Sequence, residues 1–142
     1  MGFYSRECLY CVGSKEQINK LENKFKPLHN GYQIQMGYSE YHSLNRINSN
    51  MLILFFGGSN SQIPEKLCDK IRTKYEVLVY KDWSSDLDDY CIHLGYYDID
   101  GIEKEKIFWK NEELQSPNID EWVMDHSKQY LRICKIKKIK QK

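Results

Sequence analysis

Apolar positions fall twice into the same order along this chain: a strand-like run, a small polar turn, then a helical stripe. The first run is Cys8-Leu9-Tyr10-Cys11-Val12, followed by Gly13-Ser14 and a helix over residues 15–26. Ser14 with Gln17 three residues later is a capping-box pattern. Ile18, Leu21 and Phe25 make one apolar stripe at helical spacing, and Pro27 ends it. The second run is Met51-Leu52-Ile53-Leu54-Phe55-Phe56. It leads through Gly57-Gly58-Ser59-Asn60 to a helix over residues 64–75 that Pro64 opens. Leu67, Cys68, Ile71 and Tyr75 supply its stripe. Continuous apolarity over residues 51–56 predicts a central strand covered on both faces.

Each unit is followed by another strand pattern. Residues 31–41 alternate, with Ile34, Met36 and Tyr38 on one face and Gln33 and Gln35 on the other. Residues 42–50 are polar and read as a loop. Residues 77–80 fill two faces, and residues 82–89 read as an acidic loop. Residues 90–97 alternate again, Asp98-Ile99-Asp100-Gly101 is a hairpin turn signal, and residues 102–109 form a charged edge strand. Ser116-Pro117 opens a last helix whose stripe is Ile119, Trp122, Val123, His126 and Tyr130. The expected fold is α+β, βαββαβ with an antiparallel sheet, an added C-terminal β-hairpin and a final helix. The runs at residues 6–12 and 51–56 are expected at its centre. Both crossover helices are expected on one face.

Length changes the picture little: 142 residues make one domain, 1–142, able to bury roughly 68% of its unfolded surface. Charge changes it more. The net charge is +1, but residues 132–142 carry +6 with no acid, which leaves −5 on the rest. A mildly acidic body thus ends in a basic tail. Alanine is absent, while Lys, Ile, Tyr and Asn together supply 51 residues and Arg only 4. Alanine is the best helix former, so helix physics does not explain its absence. The bias fits an AT-rich genome, that of a low-GC bacterium or one of its mobile elements.

The strand–Gly-Ser–capped helix of residues 9–21 and the succession over residues 51–101 carry a resemblance. The latter runs strand, Pro-started helix, strand, acidic turn and Gly-containing hairpin. This order resembles the ferredoxin-like domain of small accessory proteins carried by phages and plasmids. The aromatic-Ser-Pro-Pro stretch associated with that family is replaced here by Gly57-Gly58-Ser59-Asn60, and no functional residue carries over. The resemblance implies a small accessory protein of a mobile element.

Candidate chemistry is sparse. Cys8 and Cys11 form C-x-x-C, but in a strand this spacing sends the two thiols to opposite faces. With no second pair to complete four zinc ligands, they read as core thiols. Five cysteines, no apolar leader in residues 1–10 and no apolar run of about 18 residues suit a reduced cytoplasmic protein. Of His29, His42, His93 and His126, none makes a metal-binding pattern. His93 shares a strand face with Cys91, where packing is the plainer reading. The Gly57–Ser61 stretch lacks the lysine of a phosphate loop and reads as a connection, with anion binding as the alternative. No metal, cofactor or catalytic residue is expected.

Two surfaces remain. Asp82, Asp86, Asp88 and Asp89 lie beside Trp83, Tyr90, Tyr96 and Tyr97, so acids stand next to aromatic anchors of the kind found at protein interfaces. Glu40 adds to the carboxylates. The plain alternative is a solvated loop. Lys135, Lys137, Lys138 and Lys140 form the second surface, suited to phosphates. The expectation is a non-enzymatic protein-binding accessory factor of a phage or mobile element. Its most concrete form is an anti-CRISPR-like inhibitor that covers a nucleic-acid-binding surface of a host protein. The alternatives are a nucleic-acid-binding module using the basic tail and an immunity protein that neutralises a toxin nuclease.

Overall fold

The computed structural model of the chain describes residues 4–28, 32–33, 40–59, 65–85, 91–97, 102–109 and 119–140. They form a mixed α+β fold. The strands are β1 (Tyr4–Val12), β2 (Tyr32–Gln33), β3 (Glu40–Asn48), β4 (Met51–Ser59), β5 (Leu78–Ser85), β6 (Cys91–Tyr97) and β7 (Glu103–Trp109). The helices are α1 (Lys15–Phe25), α2 (Glu65–Tyr75), α3 (Ile119–His126) and α4 (Lys128–Lys140). The sheet order is β2-β3-β4-β1-β5-β6-β7, with antiparallel neighbours throughout. Six strands are seven to nine residues long, and β2 is a two-residue pair at one margin.

The central pair follows from apolarity. β4 and β1 pair along their whole length, Tyr4 opposite Ser59 and Val12 opposite Met51, and both are flanked by other strands. Alternation then divides the core in two. On one face Leu9, Cys11, Leu52, Leu54, Phe56, Val77 and Val79 meet α1 and α2 through Ile18, Leu21, Phe25, Leu67, Ile71 and Tyr75. On the other, Tyr10, Val12, Met51, Ile53, Leu78, Tyr80, Leu94 and Tyr96 meet α3 through Ile119 and Val123. Tyr130 and Leu131 of α4 pack at the margin of that second core. The result is helix, sheet, helix.

Local chemistry sets the joints. Ser14 Oγ accepts the Gln17 amide at 3.3 Å and starts α1. At Gly13 a side chain would have no room, since a Cβ there would stand 2.7 Å from Val77 Cγ1. Gly13 also exchanges hydrogen bonds with Asn50: its N–H reaches the Asn50 carbonyl at 3.0 Å, and Asn50 Nδ2 reaches its carbonyl at 2.9 Å. The turn after β1 is thereby fastened to the turn between β3 and β4.

Five expectations need correction. Residues 42–50 are not a loop, because β3 runs to Asn48 and pairs with β4. Two register shifts, at Tyr41/Ser43 and Arg46/Asn48, break the period-two pattern that would have revealed it. Tyr41 and Leu44 consequently both pack on the α1–α2 side, three residues apart. Gly57, Gly58 and Ser59 continue β4 rather than turn, because β1 extends back to Tyr4 and pairs with them. β5 continues past Tyr80 to Ser85, so Asp82 and Trp83 are strand residues rather than loop residues. The expected single last helix is two, α3 and α4, meeting at Ser127. The expected single strand over residues 31–41 is instead divided between β2 and β3, because Tyr32 pairs with Tyr41 and Gln33 with Glu40, and the sheet order thereby departs from a four-strand ferredoxin-like sheet with an added hairpin. Ile34, Met36 and Tyr38, Asn60 of the expected turn, the helix starts at Pro64 and at Ser116-Pro117, and the hairpin turn at residues 98–101 lie outside the described residues.

Candidate functional site

Alternation along β1 and β5 decides where the acidic group begins. Cys8, Tyr10 and Val12 share one face of β1, and Leu78, Tyr80 and Asp82 share the same face of β5. In the register Cys8 stands opposite Asp82, which stands opposite Leu94; Tyr10 stands opposite Tyr80, which stands opposite Tyr96. Asp82 is therefore under α3, with 7% of its surface exposed. Its Oδ1 accepts the Cys8 amide at 2.6 Å and its Oδ2 the Tyr10 hydroxyl at 2.9 Å. Burial pushes its carboxyl up to about 6 against the pull of those two donors, and Asp120 in the first turn of α3 adds like-charge repulsion. Burial also raises the Tyr10 hydroxyl and the Cys8 thiol, with the Asp82 charge second among the causes.

Beyond this carboxylate lies an aromatic group. The Tyr80 hydroxyl and His126 Nδ1 are joined at 2.7 Å, and the His126 ring stacks on Trp122 with centroids 4.7 Å apart. Tyr96 meets the His126 ring edge-on at 4.8 Å, and Phe108 meets Trp122 at 5.8 Å. These rings fill the space between α3 and the outer strands. Asp82 and Tyr96, expected at a binding surface, are thus core residues: alternation points both under α3. The sequence reading missed Tyr10, Tyr80, Asp120 and His126 as their partners. The parity of Cys8-x-Tyr10 and Tyr80-x-Asp82 was visible, but the register that joins them was not.

The other expected residues separate. Trp83 stands in β5 opposite Glu7 and His93 in the register. Tyr97 lies on the opposite face of β6 from Tyr96, with the Arg72 guanidinium 4.3 Å above its ring. Arg72 also pairs with Asp69 at 3.2 Å. On that face His93 Nδ1 meets Glu105 Oε1 at 2.6 Å. Asp86, Asp88, Asp89 and Tyr90 lie outside the described residues. Cys8 and Cys11 belong to opposite cores, so one metal ion cannot reach both. Among the described residues no group of three His, Cys, Asp or Glu could hold a metal ion.

The basic end is helical. α4 carries Lys128, Arg132, Lys135, Lys137, Lys138 and Lys140 and no acid. Its inner side is set by Tyr130, Leu131, Ile133 and Cys134, all partly buried. Lys128, Arg132 and Lys135 are exposed, and their i, i+4, i+7 spacing places them in one outward row. Lys128 Nζ lies 3.0 Å from Asp125 Oδ1, both largely exposed, so a strong anion can displace this pair. Cations toward the end of a helix also suit its negative pole. The helix is held to the body by the Tyr130 hydroxyl, which donates to the Glu76 carbonyl. Lys128 is the member of the row that lies outside the basic tail read from sequence. The signal for it was helical spacing continued back from Arg132 and Lys135.

Among the described residues, no helix is long and apolar enough to cross a membrane. Compared with models of protein families, with curated proteins and with solved structures, the chain finds no match.

Proposed function

We propose that this chain is a non-enzymatic, cytoplasmic binding protein whose working surface is α4 and whose partner is a nucleic acid held through its phosphates. One observation carries this reading. An acid-free helix presents Lys128, Arg132 and Lys135 outward in a row while its opposite side is tied to the body. Such a row supplies position and affinity on a phosphate backbone but reads no bases. Lys137, Lys138 and Lys140 continue the same helix. Three phosphate contacts would give a slope of roughly −2.7 for log affinity against log salt on duplex DNA. Fluorescence anisotropy with labelled duplex and single-stranded oligonucleotides, at several salt concentrations, tests it. Lys128→Gln, Arg132→Gln and Lys135→Gln together should weaken binding and flatten the slope. Absence of binding by the folded wild type at low salt would overturn the reading.

A second reading is the protein-binding accessory factor of a phage or mobile element, in its concrete form an anti-CRISPR-like inhibitor. Supporting it, Ile107 of β7 and Ile102 just before that strand are 38% and 56% exposed on the acidic body. Asp86, Asp88 and Asp89 would supply the charge. Capture of a nucleic-acid-binding host protein from lysate, lost on reversing these three to Lys, would favour this reading over α4. The ferredoxin-like kinship belongs with it. We propose that β3-β4-β1-β5 with α1 and α2 is such a unit. In its favour, both crossover helices pack on one face.

A further inference from the structure

We propose that the seam between α3 and the sheet is a proton-operated latch: protonated Asp82 seats α3, and ionised Asp82 favours its release. Asp82 is buried beneath a helix whose first turn carries a second carboxylate, Asp120. Hydrogen bonds reach it from β1, from the Cys8 amide and the Tyr10 hydroxyl, and neither donor is a cation. Among the side chains the structure describes, the other groups around it give no positive charge. From β1 come the Cys8 thiol and the Tyr10 hydroxyl; from α3 comes Asp120. The residue facing it on β6 is Leu94. Arg6 stands two positions along β1 from Cys8, opposite Ser84. His126, at the far end of α3, is bonded to Tyr80.

The consequence is thermodynamic linkage. Seating α3 removes water from Asp82 and brings Asp120 toward it, and both penalise the charged form. The seated helix therefore holds the proton more tightly than the released one, and raising the pH shifts the equilibrium toward release. With the carboxyl displaced from 3.8 to about 6, the seating equilibrium can fall by at most about a hundredfold between pH 4 and pH 8. α3 is eight residues long and is seated in the core by Ile119 and Val123, so a shift of that size can open it locally while the first core stays closed.

Amide hydrogen exchange of the full chain at pH 5 and pH 8, corrected for intrinsic rates, tests the latch. Residues 119–126 should lose severalfold of their protection, up to about tenfold, while residues 15–25 in α1 keep theirs. Asp82→Asn, which retains an acceptor for Tyr10, should remove the difference, and Asp120→Asn should reduce it. His126→Gln should leave it in place. Equal protection of residues 119–126 at the two pH values in the wild type would overturn the proposal. So would a difference that survives in Asp82→Asn or vanishes in His126→Gln. If Asp82→Asn fails to fold, the wild-type, Asp120→Asn and His126→Gln measurements still decide it.

Discussion

The Tyr130 hydroxyl donates to the backbone carbonyl of Glu76, so the last helix is tied to the residue that follows α2. Glu76 has a φ of 53°, a left-handed conformation that costs a side chain roughly 1–2 kcal/mol. Tyr130→Phe should lose about 0.5–1.5 kcal/mol, the net worth of an ordinary hydrogen bond. Glu76→Gly should gain about 1 kcal/mol by relieving the strain. Urea unfolding with unchanged m values would check both.

Gly13→Ala should destabilise the fold by about 1–3 kcal/mol. The added methyl meets Val77 Cγ1, with Val77 Cβ and Cα close behind at 3.4 and 3.6 Å. A branched side chain this short cannot swing away, so β1 and the start of β5 must part. Thermal unfolding should show the loss, and the added Val77→Ala substitution should recover part of the strain.

Asp82 makes stability fall as pH rises. Its folded carboxyl stands near 6, above the ordinary 3.8, so the folded state binds more protons between those values. This contribution is fully present below about pH 4 and lost as pH passes through about 6. Asp82→Asn should therefore match the wild type at pH 4 and exceed it at pH 7, by at most about 3 kcal/mol. Chemical unfolding across that range would check it. A wild-type advantage that grows toward pH 7 would contradict the assignment.

Tyr41→Ala should cost about 3–5 kcal/mol. The ring is 2% exposed, 5.6 Å from Phe25 and 5.9 Å from Phe56, and joins β3 to α1 and β4. Ser43→Ala, an exposed position on the same strand, should stay within about 0.5 kcal/mol.

β7 carries Glu103 and Glu105 on one face and Lys104 and Lys106 on the other. Antiparallel pairing with a second copy about a two-fold axis brings like faces together, so Glu meets Glu and Lys meets Lys. Such pairs oppose edge-to-edge association. Lys104→Thr with Lys106→Val should promote self-association through β7, seen in sedimentation velocity as larger species at concentrations where the wild type shows fewer.

Elements whose periodicity is uninterrupted are legible in the chain. Ile18, Leu21 and Phe25 at helical spacing defined α1, and the unbroken run from Met51 defined a doubly covered central strand. The two cores follow from them, because alternation in β1 and β5 can serve only two faces. β3 was hidden because two register shifts erase its alternation, and a local pattern cannot show that a neighbouring strand supplies the missing pairing. Arg132 and Lys135 were legible as charge, whereas Lys128 joins their row only through the helical spacing of α4.

Tertiary structure alone decided the fate of Asp82. In the sequence it opens a run of acids and reads as solvated. In the fold it is buried, because β5 continues beyond its apolar stretch and β1 offers an amide and a hydroxyl to receive it. Residues 8, 10 and 82 meet through a strand register, and a register is set by the packing of the whole sheet rather than by any segment within it. The same holds for Tyr80, Trp122 and His126, whose contacts depend on how α3 crosses the sheet. Periodicity acts over a few residues and is written in the chain; burial of a polar group depends on partners far along it.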